Sequence, residues 1–217
     1  MKLRPTALAL ALAFAGTPLL SGCQSAYYEV METFGREKRD LLRSELKGMV
    51  GDQKDAEEAF TDALTRIKGL TGFDGAELER EYDRLKGAYD DAAGAVKDID
   101  GRMKEIETVS TDLFREWESE IGEMQSPSLK SSSQQKLRET RARYETMHSS
   151  LLRTRSTMDP VLSLLNDNVL YLKHNLNAAA VGSLGTEMRS IEAGIEDLKK
   201  SIQSSIREAE SFIQAMP

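Results

Sequence analysis

The sequence predicts an all-α protein, an elongated up-down antiparallel helical bundle or coiled coil of about four long helices. Three observations carry this reading. Apolar residues from Tyr27 to the C-terminus recur in alternating steps of four and three, the spacing of helices packed along a heptad seam. The 217 residues include only five prolines and 6% aromatic residues. The interruptions are short and fall where glycine or Ser-Pro marks a turn.

The first element precedes the bundle. Lys2 and Arg4 lead into an apolar run from Ala7 to Leu20, the layout of a secretory signal that is too short to span a bilayer. Leu20-Ser21-Gly22-Cys23 then resembles the lipobox of bacterial lipoproteins, in which the cysteine is lipidated and becomes the mature N-terminus. The expected organisation is a cleaved signal peptide over 1–22, a lipidated tether over 23–26 and a single helical domain over 27–217. Cys23 is the only cysteine, so no intrachain disulfide can form, and palmitate-type acylation is its expected use. Gln24 and Ser25, with no Asp after the cysteine, match the outer-membrane address of enteric-type Gram-negative bacteria. The expected location is the cell envelope, on an outer-membrane lipid anchor facing the periplasm.

Helix one is expected from about Tyr27 to Leu70, with Met49, Gln53, Ala56, Phe60, Ala63, Ile67 and Leu70 on its seam. Gly48 and Gly51 cost about 1 kcal/mol each against alanine in a helix interior, which predicts a kink or break there. Gly69, Gly72 and Gly75 mark the following turn, and Asp74 with Glu77 has capping-box spacing. Helix two should reach Gln125 on a seam of Leu78, Tyr82, Leu85, Tyr89, Ala92, Val96, Ile99, Met103, Ile106, Ser110, Leu113 and Trp117. Ser126-Pro127 ends it and suits the start of another helix.

Helix three should carry Leu137, Thr140, Tyr144, Met147, Leu151, Thr154, Met158, Val161 and Leu165, then shift register to Val169, Leu172, Leu176 and Ala179. Pro160 predicts a kink near Thr157 or a split. A turn at Gly182 to Gly185 leads to helix four, with Leu184, Met188, Ile191, Ile195, Leu198, Ile202, Ser205, Ala209, Phe212 and Met216 on its seam. At 1.5 Å per residue the first three helices would be about 65–75 Å long and the fourth about 50 Å. The tether spans about 10 Å at most, which places the foot of the bundle at the membrane surface and the first turn at its far end.

Charge names one neighbour pair. Residues 105–123 hold seven acids against Arg115, and residues 130–155 hold seven bases against Glu139 and Glu145. An antiparallel hairpin through Ser126-Pro127-Ser128 would align them, and a basic groove for an anionic partner is the alternative. Over the whole chain the balance is −7, and loss of Lys2 and Arg4 makes it −9, which disfavours nucleic acid.

Chemistry leaves little trace. The sequence lacks a Gly-rich phosphate loop, a Gly-x-Ser-x-Gly elbow and a His-Glu-x-x-His motif. Glu145 and His148 give one Glu-x-x-His where a di-iron bundle needs two, so they read as a surface pair. No cofactor, metal site or catalytic residue is expected. Two groups are candidates for contact. Arg36, Lys38, Arg39 and Arg43, opposed by Glu37 and Asp40, would meet anionic headgroups or form a solvated face with pairs such as Arg36–Asp40. Tyr171, Lys173, His174, Asn175 and Asn177 lie in an otherwise apolar stretch that also holds Asn166, Asp167 and Asn168, and would bind a partner or fix helix register.

The segment Val169-Leu170-Tyr171-Leu172-Lys173-His174-Asn175-Leu176-Asn177 resembles a recurring stretch of a bacterial family known as domain of unknown function 2959. Phe34-Gly35 with Lys38-Arg39-Asp40, Phe73-Asp74-Gly75 with Leu78-Glu79, and Leu113-Phe114 with Glu116-Trp117-Glu118 resemble its other characteristic stretches. The resemblance covers the mature chain and implies an exported lipoprotein of Gram-negative bacteria. It supplies no catalytic or binding residue.

The expected function is that of a membrane-anchored, non-enzymatic periplasmic lipoprotein with a structural or adaptor role, contacting another envelope protein and with scope for self-association through its seams. The alternative is a periplasmic carrier or chaperone that opens to bind a lipid or acylated peptide.

Overall fold

The computed structural model describes residues 38–70 and 73–216. The expected signal sequence and tether, Cys23, Arg36 and the expected start of helix one at Tyr27 lie outside the described residues. Residues 38–217 form one compact unit. Its helices are α1 (Lys38–Gly69), α2 (Gly75–Glu123), α3 (Pro127–His174), the short α4 (Ala178–Ser183) and α5 (Gly185–Ala215).

Cross-helix pairs fix the topology. Lys38 meets Glu116 and Arg102 meets Asp52 and Glu45, so α1 and α2 are antiparallel. Arg141–Glu118, His148–Glu107 and Arg155–Asp100 set α3 antiparallel to α2. Thr154–Ser201 joins α3 to α5, and Gln53–Ser205 closes the ring from α1 to α5. The four long helices therefore run up, down, up and down around one core, as the heptad pattern predicts.

That core is the heptad seam. Met49, Ala56, Phe60, Ala63, Ile67 and Leu70 are fully buried, and Gln53 is buried with them. On α2 the seam turns near its C-terminus, where Phe114 is buried while Leu113 and Trp117 are only half-buried. Phe114, Ile121 and Leu137 form a separate cluster flanked by Trp117, Met124 and Tyr144. Here Trp117 Nε1 donates to Ser133 Oγ at 2.9 Å. Burial raises the pKa of Tyr144 above the usual phenol value.

The breaks expected at Gly48 and Gly51 and at Pro160 do not form, and two further local expectations are corrected. Helix α1 runs unbroken through Gly48 and Gly51. At Gly48 a Cβ would come within 2.6 Å of the Arg102 guanidinium, so this glycine makes room for a side chain from α2. The Asp74–Glu77 capping box does not form: Asp74 is the N-cap, but its side chain makes no capping bond, and the chain enters α2 through Gly75 at φ 48°. Helix α3 is not split at Pro160. Pro160 and Ser156 both lie on the exposed face, so water can satisfy the Ser156 carbonyl that loses its amide partner. Finally, α3 stops at His174, because Asn177 Oδ1 accepts a bond from the Ala180 amide and starts α4. Leu176 and Ala179 thus leave the α3 seam, Ala179 being exposed.

The turn between α2 and α3 forms as expected, with Ser126 capping at the Leu129 amide and Pro127 in the first turn. The hairpin forms too: within the two charged runs Arg141 pairs with Glu118 across it, while Arg155 reaches Asp100, outside the acidic run. Arg155 bonds both carboxylate oxygens of Asp100, at 2.6 and 3.0 Å, and holds that carboxyl below the usual range.

Candidate functional site

The residues singled out for partner contact come together at the end of the bundle where α3 passes through α4 into α5. Tyr171, Lys173, His174, Asn175 and Asn177 are all exposed, and Leu170 beside them is 49% exposed. The α1–α2 turn lies at this same end: Lys68, in the last turn of α1, pairs with Glu192 near the start of α5.

The individual roles differ. Asn175 Nδ2 donates to the Tyr171 carbonyl at 3.0 Å, and Asn177 caps α4, so both amides serve local backbone structure. Tyr171 Oη lies 3.2 Å from Ser183 Oγ, which ties the ring to α4 and leaves one face to solvent. Leu170, Tyr171, Lys173 and His174 therefore form the accessible part: two large apolar side chains beside two basic ones. Of the nearby polar residues, only Asn168 enters the core. Its Nδ2 donates to the Leu164 carbonyl, and its Oδ1 has no protein partner.

The second candidate group has moved mostly into intramolecular pairing. Lys38 bonds Glu116 at 2.9 Å and is largely covered, while Arg43 pairs with Asp40 on its own helix. The expected Arg36–Asp40 pair involves Arg36, which lies outside the described residues. Arg39 also has an intramolecular interaction. His148 pairs with Glu107 across the hairpin at 2.9 Å and stacks on Tyr144, rather than pairing with Glu145.

A family model described as "Protein of unknown function (DUF2959)" matches residues 27–216. The chain belongs to this family. The match takes in all four long helices of the DUF2959 bundle and the exposed segment at Tyr171–Asn177. No curated protein matches the chain. Among the described residues of this DUF2959 member, no group of three His, Cys, Asp or Glu side chains is placed to hold a metal ion, and no helix is long and apolar enough to cross a membrane.

Two grooves were not legible in the sequence. One, of about 370 Å³, runs between α1 and α2 and is walled by Asp52, Asp55, Asp90, Asp91 and Asp98 over Gly94 and Ala95. The other, of about 570 Å³, runs between α1 and α5 past Lys54, Glu57, Glu58, Asp62 and Lys199. Both are polar surface channels, and neither reaches the core seam. Each wall draws on residues from two helices, so only the interhelical register reveals it.

Proposed function

We propose that this DUF2959 protein is a non-enzymatic, lipid-anchored element of the bacterial cell envelope. Cys23 carries the anchor, on the outer membrane and facing the periplasm. The helical bundle presents its α3–α4 corner to another envelope protein. The observation that carries the reading is the exposed pair Leu170 and Tyr171 beside Lys173 and His174, on a bundle end built from helix termini rather than on a featureless helix face. Exposed apolar and aromatic side chains beside polar ones suit a protein contact of modest size. The lipobox supports the compartment, since an acylated cysteine followed by a three-residue tether holds the protein at a membrane.

Two variants test this. Cys23→Ser should abolish fatty-acid labelling and shift the protein out of the membrane fraction, and persistent labelling would overturn the anchor. Leu170→Glu with Tyr171→Glu should keep the helical circular dichroism and melting temperature, yet reduce a detergent-solubilised envelope complex to free protein on a native gel. A wild-type protein that migrates alone would overturn the adaptor role.

A further inference from the structure

The bundle is not held together equally on all sides. Helix α2 is tied to α1 by Lys38–Glu116 and by Arg102 across Glu45 and Asp52, and to α3 by Arg141–Glu118, His148–Glu107 and Arg155–Asp100. Among the described residues, α5 has the exposed Lys68–Glu192 pair at one end. Its interior contacts are chiefly apolar, through Ile191, Ile195, Leu198, Ile202 and Phe212, with polar bonds set among them. Three of the five buried polar residues, Gln53, Thr154 and Ser205, bond across an α5 interface: Gln53 Nε2 donates to Ser205 Oγ at 2.9 Å, and Thr154 Oγ1 donates to the Ser201 carbonyl at 3.1 Å.

These contacts are incompletely satisfied. Gln53 Oε1 and Asn168 Oδ1 are buried without a hydrogen-bond partner. Gln53 faces α5 through its bond to Ser205. Asn168 lies seven residues beyond Val161, the α3 side chain that a Cβ at Gly194 of α5 would approach to 3.2 Å, and so continues the same edge of the heptad. A buried acceptor without a donor costs free energy that is recovered when water reaches it. Separation of α5 hydrates both acceptors, whereas separation at the α1–α2 or α2–α3 interface breaks multidentate charge pairs. The covalent link also suits such movement: the short α4 is joined to α5 through Leu184, with Gly182 and Gly185 on either side and open space around both glycines.

We propose that α5 is a releasable strap on a more firmly held α1–α2–α3 core. It separates as a unit, below the threshold of global unfolding, and uncovers the apolar groove formed by Phe60, Leu151 and Met158 and their neighbours. This does not depend on the adaptor reading, because it concerns only the internal polar seam.

Native-state amide hydrogen exchange on the full chain, read by mass spectrometry, tests it. Peptides from 195–212 should exchange at least about tenfold faster than peptides from 92–110, and uniformly along α5 rather than in a gradient from the C-terminus. The double substitution Gln53→Leu with Ser205→Ala removes one of the two unmatched acceptors and should slow α5 exchange about tenfold while leaving 92–110 unchanged. Equal exchange in α5 and α2, a terminal fraying gradient, or unchanged or faster α5 exchange in the double variant would each overturn the proposal. If the double variant does not fold, the wild-type comparison decides alone.

Discussion

The guanidinium of Arg102 lies across Gly48, bonded to Asp52 at 2.7 Å and to Glu45 at 2.9 Å. One residue of α2 thus bridges two acids of α1 placed seven positions apart, and the glycine between them is the gap that admits it. This separates two glycines that look alike in the sequence. Gly51 faces open space, so Gly51→Ala should raise stability by about 0.5–1 kcal/mol through helix propensity and chain entropy. Gly48→Ala should give no such gain, because the methyl displaces the guanidinium. Unfolding free energies from urea titration should rank Gly51→Ala above Gly48→Ala by about 1 kcal/mol.

Pro160 sits on the solvent face of a continuous helix. Replacing it by alanine restores an amide for the Ser156 carbonyl and disturbs no core contact. Pro160→Ala should therefore stabilise the protein, by about 1–2 kcal/mol once the greater freedom of the unfolded chain is discounted. Thermal melts of the two proteins at one pH check this.

Arg155 holds Asp100 below the usual carboxylate range through a two-bond contact, with burial opposing it. A folded-state pKa that is depressed contributes stability that is complete above the unfolded value, near about 3.9, and is lost as pH falls through the folded value. The stability difference between wild type and Arg155→Gln should thus be widest near neutrality and should shrink below about pH 4. A difference that stays constant down to acid pH would contradict the pairing.

Tyr144 gives the opposite limb. Desolvation raises its pKa, so its contribution is complete below the unfolded value near about 10 and falls as pH rises beyond it. Tyr144→Phe should flatten the alkaline loss of stability. Ultraviolet titration of the native protein should show a tyrosine ionising above the usual phenol range that is lost in Tyr144→Phe.

How much of this was legible depended on the distance over which each feature is encoded. The α1 seam is a local repeat, and Met49, Gln53, Ala56, Phe60, Ala63, Ile67 and Leu70 are all buried as their spacing predicts. The antiparallel pairing of α2 with α3 was legible as well, because a short turn joins them, although Glu116 of the acidic run turns to Lys38 of α1 instead. Single partners were not. His148 had Glu145 three residues away but meets Glu107, because the stacking on Tyr144 turns the imidazole toward α2. Gly48 and Pro160 looked like breaks because propensity is local, while Arg102 and the solvent-facing side of α3 supply the compensation. At the candidate site, the unusual polar content from Tyr171 to Asn177 drew attention correctly to an exposed corner. Asn175 and Asn177 nevertheless serve the α3–α4 turn, and Leu170 was missed because the stretch stood out by its polar residues while Leu170 lies off the Val169–Leu172 seam.

The adaptor reading is tested most directly by photo-crosslinking in living cells from single positions at the two ends of the bundle. A photoreactive residue at Tyr171, or at Phe73 in the α1–α2 turn, should capture the same envelope protein. The same residue at Leu129, 65% exposed in the first turn of α3 at the other end, should not. Capture from Tyr171 and Phe73 alone is the expected result. No adduct at either position, or equal capture from Leu129, would contradict the account.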